Sequence, residues 1–325
     1  MENNISTEDF EWAYSKIRAL IAELKKVIAG KDYAIELLVS ALIAGGHILL
    51  EDVPGTGKTT MSLALSKAIG GVFKRASFNP DVTPSDITGF TILNRKTNDF
   101  EYREGLVMTN ILLADEINRA SPKTQSSLLE VMEESRVTVD GTTYPLPEPF
   151  MVIATQNPMG FIGTNPLPEA QLDRFMLKLS MGYPSPQQEA RIIMERQYQN
   201  PIELVNEAVS IDEVKKIQRI VKNIFVDSVI GEYIVKLVAA TRSQGDIALG
   251  ASPRASLSLF KLSQARALLN GRDYVLPQDV KEMFPYAAEH RISLKNQAKL
   301  NNITVAKILQ DISGSVLPPL KTKTR

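Results

Sequence analysis

The chain has 325 residues, of which 44% are hydrophobic and 23% charged, values of a soluble globular protein with more than one domain that exclude a disordered chain. Lys plus Arg number 37 and Asp plus Glu number 37, so the net charge of zero supplies no general attraction to nucleic acid or an anionic membrane. The absence of cysteine removes disulfides, thiolate nucleophiles and cysteine-based zinc sites, and fits a cytoplasmic location.

The first residues, MENNISTEDFEWAY, are polar and acidic where a secretory signal would start basic and turn apolar. The glycosylation sequons at Asn4 and Asn302 therefore read as chance matches. The most apolar window, AIELLVSALIAGGHILL, is broken by Glu36, Gly45, Gly46 and His47, so it reads as a buried helix, a turn and a strand, with no integral membrane segment. Between residues 10 and 182, short apolar runs alternate with helical patterns, which predicts an α/β fold with crossover helices. The predicted strands are His47 to Leu50, Phe73 to Phe78, Ile111 to Ala114, Met151 to Thr155 and Met176 to Ser180. Pro184 and Pro186 then stop a strand and start a helix, which places a domain boundary there. Beyond it, segments 187–199, 211–222, 228–243, 253–270 and 277–291 have helical spacing, with Asp212, Asp227, Ser252 and Pro277 at their starts. The expected division is an α/β unit over 1–183, a helical unit over 184–315 and a tail over 316–325, the end of the loose stretch SGSVLPPLKTKTR.

The stretch EDVPGTGKTT lies between the apolar HILL and the helix-like MSLALSKAI. A phosphate loop reads Gly, four residues, then Gly-Lys-Ser/Thr, because loop N–H groups and a helix N-terminus converge on phosphate. Gly57, Lys58 and Thr59 fit, and Asp52 stands where the first glycine belongs. Asp tolerates left-handed and turn conformations, so the expected loop path survives; the competing reading is a Gly-Pro turn with a surface lysine.

Hydrolysis also needs a metal, a positioned water and neutralised charge. In NILLADEINRAS an apolar strand ends on Asp115 and Glu116, placed to hold Mg²⁺ opposite Thr59 and to orient the attacking water. Four apolar residues before the pair put it at the carboxyl edge of a parallel sheet; otherwise it is two solvated loop charges. FMVIATQN ends near Asn157, a candidate partner for the γ-phosphate or the water, or else a turn former. Arg174 in LPEAQLDRF and Arg254 in ASPRASL are candidate charge neutralisers or simple ion-pair arginines. His47 and His290 are the only histidines, far apart in sequence, and read as packing or surface residues.

With these pieces in this order, the chain resembles the MoxR family of AAA+ ATPases over almost its whole length. The residues that carry the resemblance are VIAGKDYAIELLVSALIAGGHILLEDVPGTGKT, FNPDVTPSDITG, ILLADEINRASPKTQSSLLEVMEE, ATQNPMGFIGTNPLPEAQLDRF and GASPRASLSLFKLSQARA. It implies an α/β P-loop AAA+ core with a parallel sheet, followed by a smaller all-α helical lid. It implies a Walker A loop in which Pro54, Gly55, Thr56, Gly57, Lys58, Thr59 and Thr60 meet ATP, and a Walker B motif at Asp115 and Glu116. Asn157 becomes sensor 1, Arg174 an arginine finger given to a neighbour's nucleotide, and Arg254 a sensor 2 from the lid. Ile28 and Gly30 fall in the segment that lines the family's adenine pocket.

SDITGFTILNRKTNDFEYREG resembles the insert that interrupts a core helix, and SRVTVDGTTYPL the hairpin before sensor 1. The hairpin is also readable directly, since Val137, Val139, Thr143 and Leu146 flank the turn pair Asp140-Gly141. A shared arginine implies head-to-tail contacts closing into a ring, in the family a hexamer, with Arg254 reporting nucleotide state across a hinge near Pro184. The function expected is a Mg²⁺-dependent ATPase that remodels or matures protein complexes, chaperone fashion, with a protein partner carrying a von Willebrand factor A domain. Two alternatives stand beside it. A nucleic-acid motor or transcription activator of the same clade is opposed by zero net charge and the lack of an appended helix-turn-helix or zinc module. A nucleotide-gated scaffold with negligible hydrolysis is opposed by Glu116.

Overall fold

Burial on both faces requires near-continuous apolar strands, and the apolar runs of this chain become such strands. A computed structural model describes residues 6–28, 30–52, 55–156, 165–196 and 200–319. Helix α1 (Thr7–Lys25) starts on Ser6, whose hydroxyl accepts from Asp9 N, and α2 (Asp32–Ala44) stops on Gly45 at φ 70°. The order then runs β1 (Ile48–Glu51), α3 (Lys58–Ala68), β2 (Phe73–Ser77), α4 (Pro84–Thr88), β3 (Gly89–Asn94), β4 (Asp99–Glu104), β5 (Ile111–Asp115) and α5 (Pro122–Glu134). It continues through β6 (Arg136–Val139), β7 (Thr142–Pro145), β8 (Met151–Gln156), α6 (Glu169–Leu172) and β9 (Leu177–Leu179).

All five predicted strands join one parallel sheet in the order β2-β5-β8-β1-β9. Three of them run one residue further than expected, so that Glu51, Asp115 and Gln156 close the carboxyl ends of β1, β5 and β8. The two segments singled out as insert and hairpin form separate antiparallel pairs, β3 with β4 and β6 with β7. Asp140 at φ 49° and Gly141 at φ 79° make the two-residue turn that the second pair needs.

The remaining elements are α7 (Pro186–Arg196), α8 (Ile211–Lys222), α9 (Ser228–Ser243), β10 (Ile247–Leu249), α10 (Pro253–Leu269), α11 (Pro277–Ala288), β11 (Ser293–Leu294), α12 (Asn296–Leu300) and α13 (Val305–Ser315). Asp227 and Ser252 cap α9 and α10 as expected. Helix α8 is capped by Ser210, not Asp212: Ser210 and Glu213 satisfy each other's backbone N–H in a capping box, and Asp212 sits in the first turn. The segment expected as one helix over 277–291 changes at Glu289 into a 3₁₀ turn through Arg291. Helix α13 was not foreseen, and it takes in the first three residues of the expected loose stretch.

Alternation along the strands sends Ile48, Leu50, Ile111, Leu113 and Ile153 to one face and Leu49, Leu112, Ala114, Val152 and Ala154 to the other. The first face packs under α1, α2 and α3 and runs without a break into the helical region through Leu259, Phe284 and Ile312. The second packs under α5 through Leu128, Leu129 and Met132. Between α2 and the helical region, Arg266 bridges Glu36 at 2.6 Å and Glu282 at 2.8 Å. No described helix is long and apolar enough to cross a membrane.

Candidate nucleotide site

At the carboxyl edge of the sheet, β1 gives way to a loop that turns into α3. Gly55 at φ 84° and Gly57 at φ 91° occupy left-handed backbone that a side chain would strain. Gly57 caps α3 with no side chain, so the first-turn N–H groups and the positive helix end are left to an anion. Thr59 and Thr60 lie in that turn, and Thr56 is buried just before it. Pro54 and Asn157 lie outside the described residues.

Lys58 donates from Nζ to the Asp52 carbonyl at 2.9 Å. Burial holds its pKa below the usual lysine value, opposed by the fields of Asp52, Asp115 and Glu116. The fold thus brings the lysine and the two carboxylates expected around a triphosphate within electrostatic reach of one another.

Three residues that sequence reading missed set this arrangement. Arg75, on the neighbouring β2, binds Asp115 Oδ2 at 2.6 Å. Thr155 donates to Asp115 Oδ1 at 2.7 Å and accepts from Glu116 N at 2.8 Å, fixing the peptide that joins the two acids. That peptide needs fixing, because Glu116 holds φ 57°, uncommon for a residue with a side chain. Arg119 reaches Glu116 Oε2 at 2.9 Å, leaving the carboxylate countered by a cation within its own chain. The hydroxyl of Thr59 and the half-buried carboxylate of Asp115 are both hard oxygen donors, the chemistry that suits Mg²⁺. Of these residues only Thr155, a polar residue in an apolar run, left a signal in the sequence.

The expectation for Asp52 needs correcting. Its backbone is not among those with positive φ, so tolerance of a left-handed turn is not what the position uses. Its carboxylate instead accepts from Ser180 Oγ at 3.1 Å, from Gly182 N at 3.0 Å and from Met181 N. Ile28 is buried in the apolar core at the end of α1. Gly30, at φ 68°, is covered by Gln188, which donates to its carbonyl at 3.3 Å, while Lys31 donates to the Tyr183 carbonyl at 2.9 Å.

The two arginines lie elsewhere. Met176 N donates to the His47 carbonyl at 2.9 Å, which sets Arg174 at the amino edge of the sheet, across it from the phosphate loop. Helix α5 returns to that same edge, where His47 Nε2 meets the Met132 carbonyl at 3.0 Å. There Glu133 accepts from Arg174 Nε at 3.2 Å and also from Arg254. Ser252 donates to Asp173 Oδ2 at 2.8 Å, and buried Arg291 binds Asp173 Oδ1 at 2.7 Å, locking the helical region onto this corner. Arg174 and Arg254 are brought together, and neither reaches Lys58 of its own chain. Ser252 anchors the start of α10, and with it Arg254, to this edge.

His47 is wholly structural, as its position suggested. Nε2 donates to Met132 and Nδ1 accepts from Val152 N at 3.0 Å, so the ring is neutral, and burial lowers its pKa to about 4.

Comparison with known proteins agrees with this geometry. The profile of the ATPase family associated with various cellular activities (AAA) matches residues 47–177, and that of the AAA lid domain matches residues 239–312. The uncharacterised protein YeaC of Bacillus subtilis is 49% identical over 93% of this chain and 94% of its own. Chaperone MoxR1 of Mycobacterium tuberculosis is 41% identical over 92% of this chain and 81% of its own. A crystallised protein of Cytophaga hutchinsonii, provisionally described as an ATPase, superposes with a TM-score of 0.90 at 39% identity, over 96% of this chain and 97% of that one. An AAA core on a five-stranded parallel sheet, a helical AAA lid and full-length kinship with MoxR1 together place the chain in the MoxR family of AAA+ ATPases.

Proposed function

We propose that the chain binds ATP and hydrolyses it to ADP and phosphate with Mg²⁺, in a ring of copies that share their active sites. The observation that carries this reading is the separation of the two halves. Lys58, Asp115 and Glu116 gather at one edge of the sheet beside the open end of α3, while Arg174 and Arg254 gather at the other. A head-to-tail neighbour joins such halves, and six copies close the ring.

In this reading Lys58 leaves the Asp52 carbonyl for the β- and γ-phosphates, and α3 and the loop N–H groups cradle them. Thr59 and Asp115 hold Mg²⁺, which when bound neutralises developing phosphate charge. Glu116, once freed from Arg119, orients the attacking water, and Asn157 takes the sensor 1 role that the family resemblance implies. Arg174 and Arg254 of the adjoining copy neutralise charge in the transition state. The AAA+ core occupies 1–183 and the lid 184–315, and turnover moves one against the other to remodel or mature protein complexes in the cytoplasm. The chaperone name of the mycobacterial relative supports this choice of client over nucleic acid. The partner with a von Willebrand factor A domain belongs to the same proposal.

The test is steady-state ATP hydrolysis with Mg²⁺ against protein concentration, for wild type, Glu116→Gln and Arg174→Ala. Specific activity should rise with concentration, and each substitution should cut kcat by roughly a hundredfold or more while ATP still binds. Binding without turnover by wild type at every concentration would instead make the chain a nucleotide-gated scaffold.

A further inference from the structure

Asp52 is the residue at which this phosphate loop departs from glycine, and its side chain supplies the reason. It is 5% exposed, and its carboxylate accepts three hydrogen bonds from three consecutive residues, Ser180, Met181 and Gly182. There β9 has ended and the chain is passing into the helical region: Gly182 stands at φ 60° and Pro184 follows. The carbonyl of the same Asp52 accepts from Lys58 Nζ at 2.9 Å. One residue therefore holds the phosphate-binding lysine with its main chain and the linker with its side chain. Glu51 makes a parallel connection, pairing with Lys178, whose ammonium also reaches Glu289 at 3.4 Å in the turn before β11. A glycine at 52 would leave two backbone N–H groups and a hydroxyl short of their acceptor.

We propose that Asp52 is a positioning residue that couples phosphate occupancy of the loop to the setting of the linker at 180–182, an inference that rests on the ATPase reading above. When a phosphate claims Lys58, the ammonium leaves the Asp52 carbonyl and the first peptide of the loop is free to re-seat. The carboxylate carries that displacement to Met181 and Gly182, because charge-assisted hydrogen bonds are short and roughly twice as strong as neutral ones. A staple that serves only the fold would hold these residues alike with and without phosphate.

The experiment is amide hydrogen exchange at Met181 and Gly182 in the full chain, free and with Mg²⁺ and ATPγS, for wild type, Asp52→Asn and Asp52→Gly. Nucleotide Kd, kcat and Tm are measured on the same samples. In wild type, exchange at both amides should change at least about fivefold on nucleotide binding. Both substitutions should raise exchange about tenfold or more and abolish its response to nucleotide. They should also lower kcat at least about tenfold while Kd stays within about threefold, since binding and turnover separate when positioning is lost. If wild type binds nucleotide and exchange at 181 and 182 does not move, the coupling is wrong and the ATPase reading stands. If kcat and Kd worsen together in step with a lower Tm, Asp52 is a staple only. If wild type binds no ATP, the functional reading falls and the coupling falls with it.

Discussion

The two edges of the central sheet are built on different plans. At the carboxyl edge Asp115 is held by Arg75 and Thr155 and Glu116 by Arg119, and among the described residues no side chain caps the helix start beside them. At the amino edge two arginines crowd a single half-exposed carboxylate, Glu133, with no phosphate loop of their own near by. The first edge sets paired acids beside a helix start that Gly57 caps without a side chain; the second sets two arginines on one carboxylate. In the ring proposed above, one copy carries the two halves of a shared site at opposite edges of its sheet, and the sheet holds them apart.

Complementation between copies should show the largest effect. Arg174→Ala and Lys58→Ala should each lose turnover by about a thousandfold, because in the proposed shared site each removes charge neutralisation in the transition state. Mixed in equal amounts, the two should recover activity, since random mixing pairs an intact loop with an intact arginine at about a quarter of interfaces. No recovery would put both halves in one chain.

The next effect is on stability and comes from the amino edge. Burial depresses the His47 pKa from its ordinary 6.5 to about 4, so the unfolded chain takes up a proton in that window and the folded chain refuses it. Stability should be full above pH 6.5 and fall by up to about 3 kcal/mol as pH drops toward 4. Denaturant melts across this range check it, and His47→Gln should flatten the slope; His290, also buried and lowered, keeps part of it.

A smaller effect tests the carboxyl edge. Thr155→Val should lower kcat about tenfold with KM nearly unchanged, because Glu116 N loses its acceptor and Asp115 one of its two holders. Thr155→Ser should restore most of it in the same kinetic assay. The least effect belongs to Glu133→Gln, expected to change kcat less than about threefold and stability by no more than about 1 kcal/mol, since half-exposed ion pairs contribute little. A loss as large as that of Arg174→Ala would make Glu133 part of the shared site.

Much of the carboxyl edge was legible in the sequence because its parts are local. Gly57, Lys58 and Thr59 are consecutive, and Asp115 and Glu116 end an apolar run, so strand, loop and helix follow from spacing alone. Helix starts were readable where one side chain caps, as at Asp227 and Ser252, and misread at α8, where the true cap Ser210 precedes a more conspicuous acid. The grips of Arg75 and Thr155 on Asp115 span 40 residues each, and no window of sequence contains them.

By itself, then, the sequence determined the parallel strands, the glycine-bearing loop between β1 and α3, the paired acids at a strand end and the change to helices after Pro184, because hydrophobic period, turn chemistry and short spacing are properties of neighbours along the chain. Only the tertiary structure decided that Arg254 stands beside Arg174, that one apolar interior runs from α1 and α2 through the sheet into the helical region, and that the Asp52 carboxylate reaches residues 180–182. Those outcomes depend on which strands lie side by side and where each crossover helix returns, and such contacts between distant segments are fixed by packing, not by any local pattern.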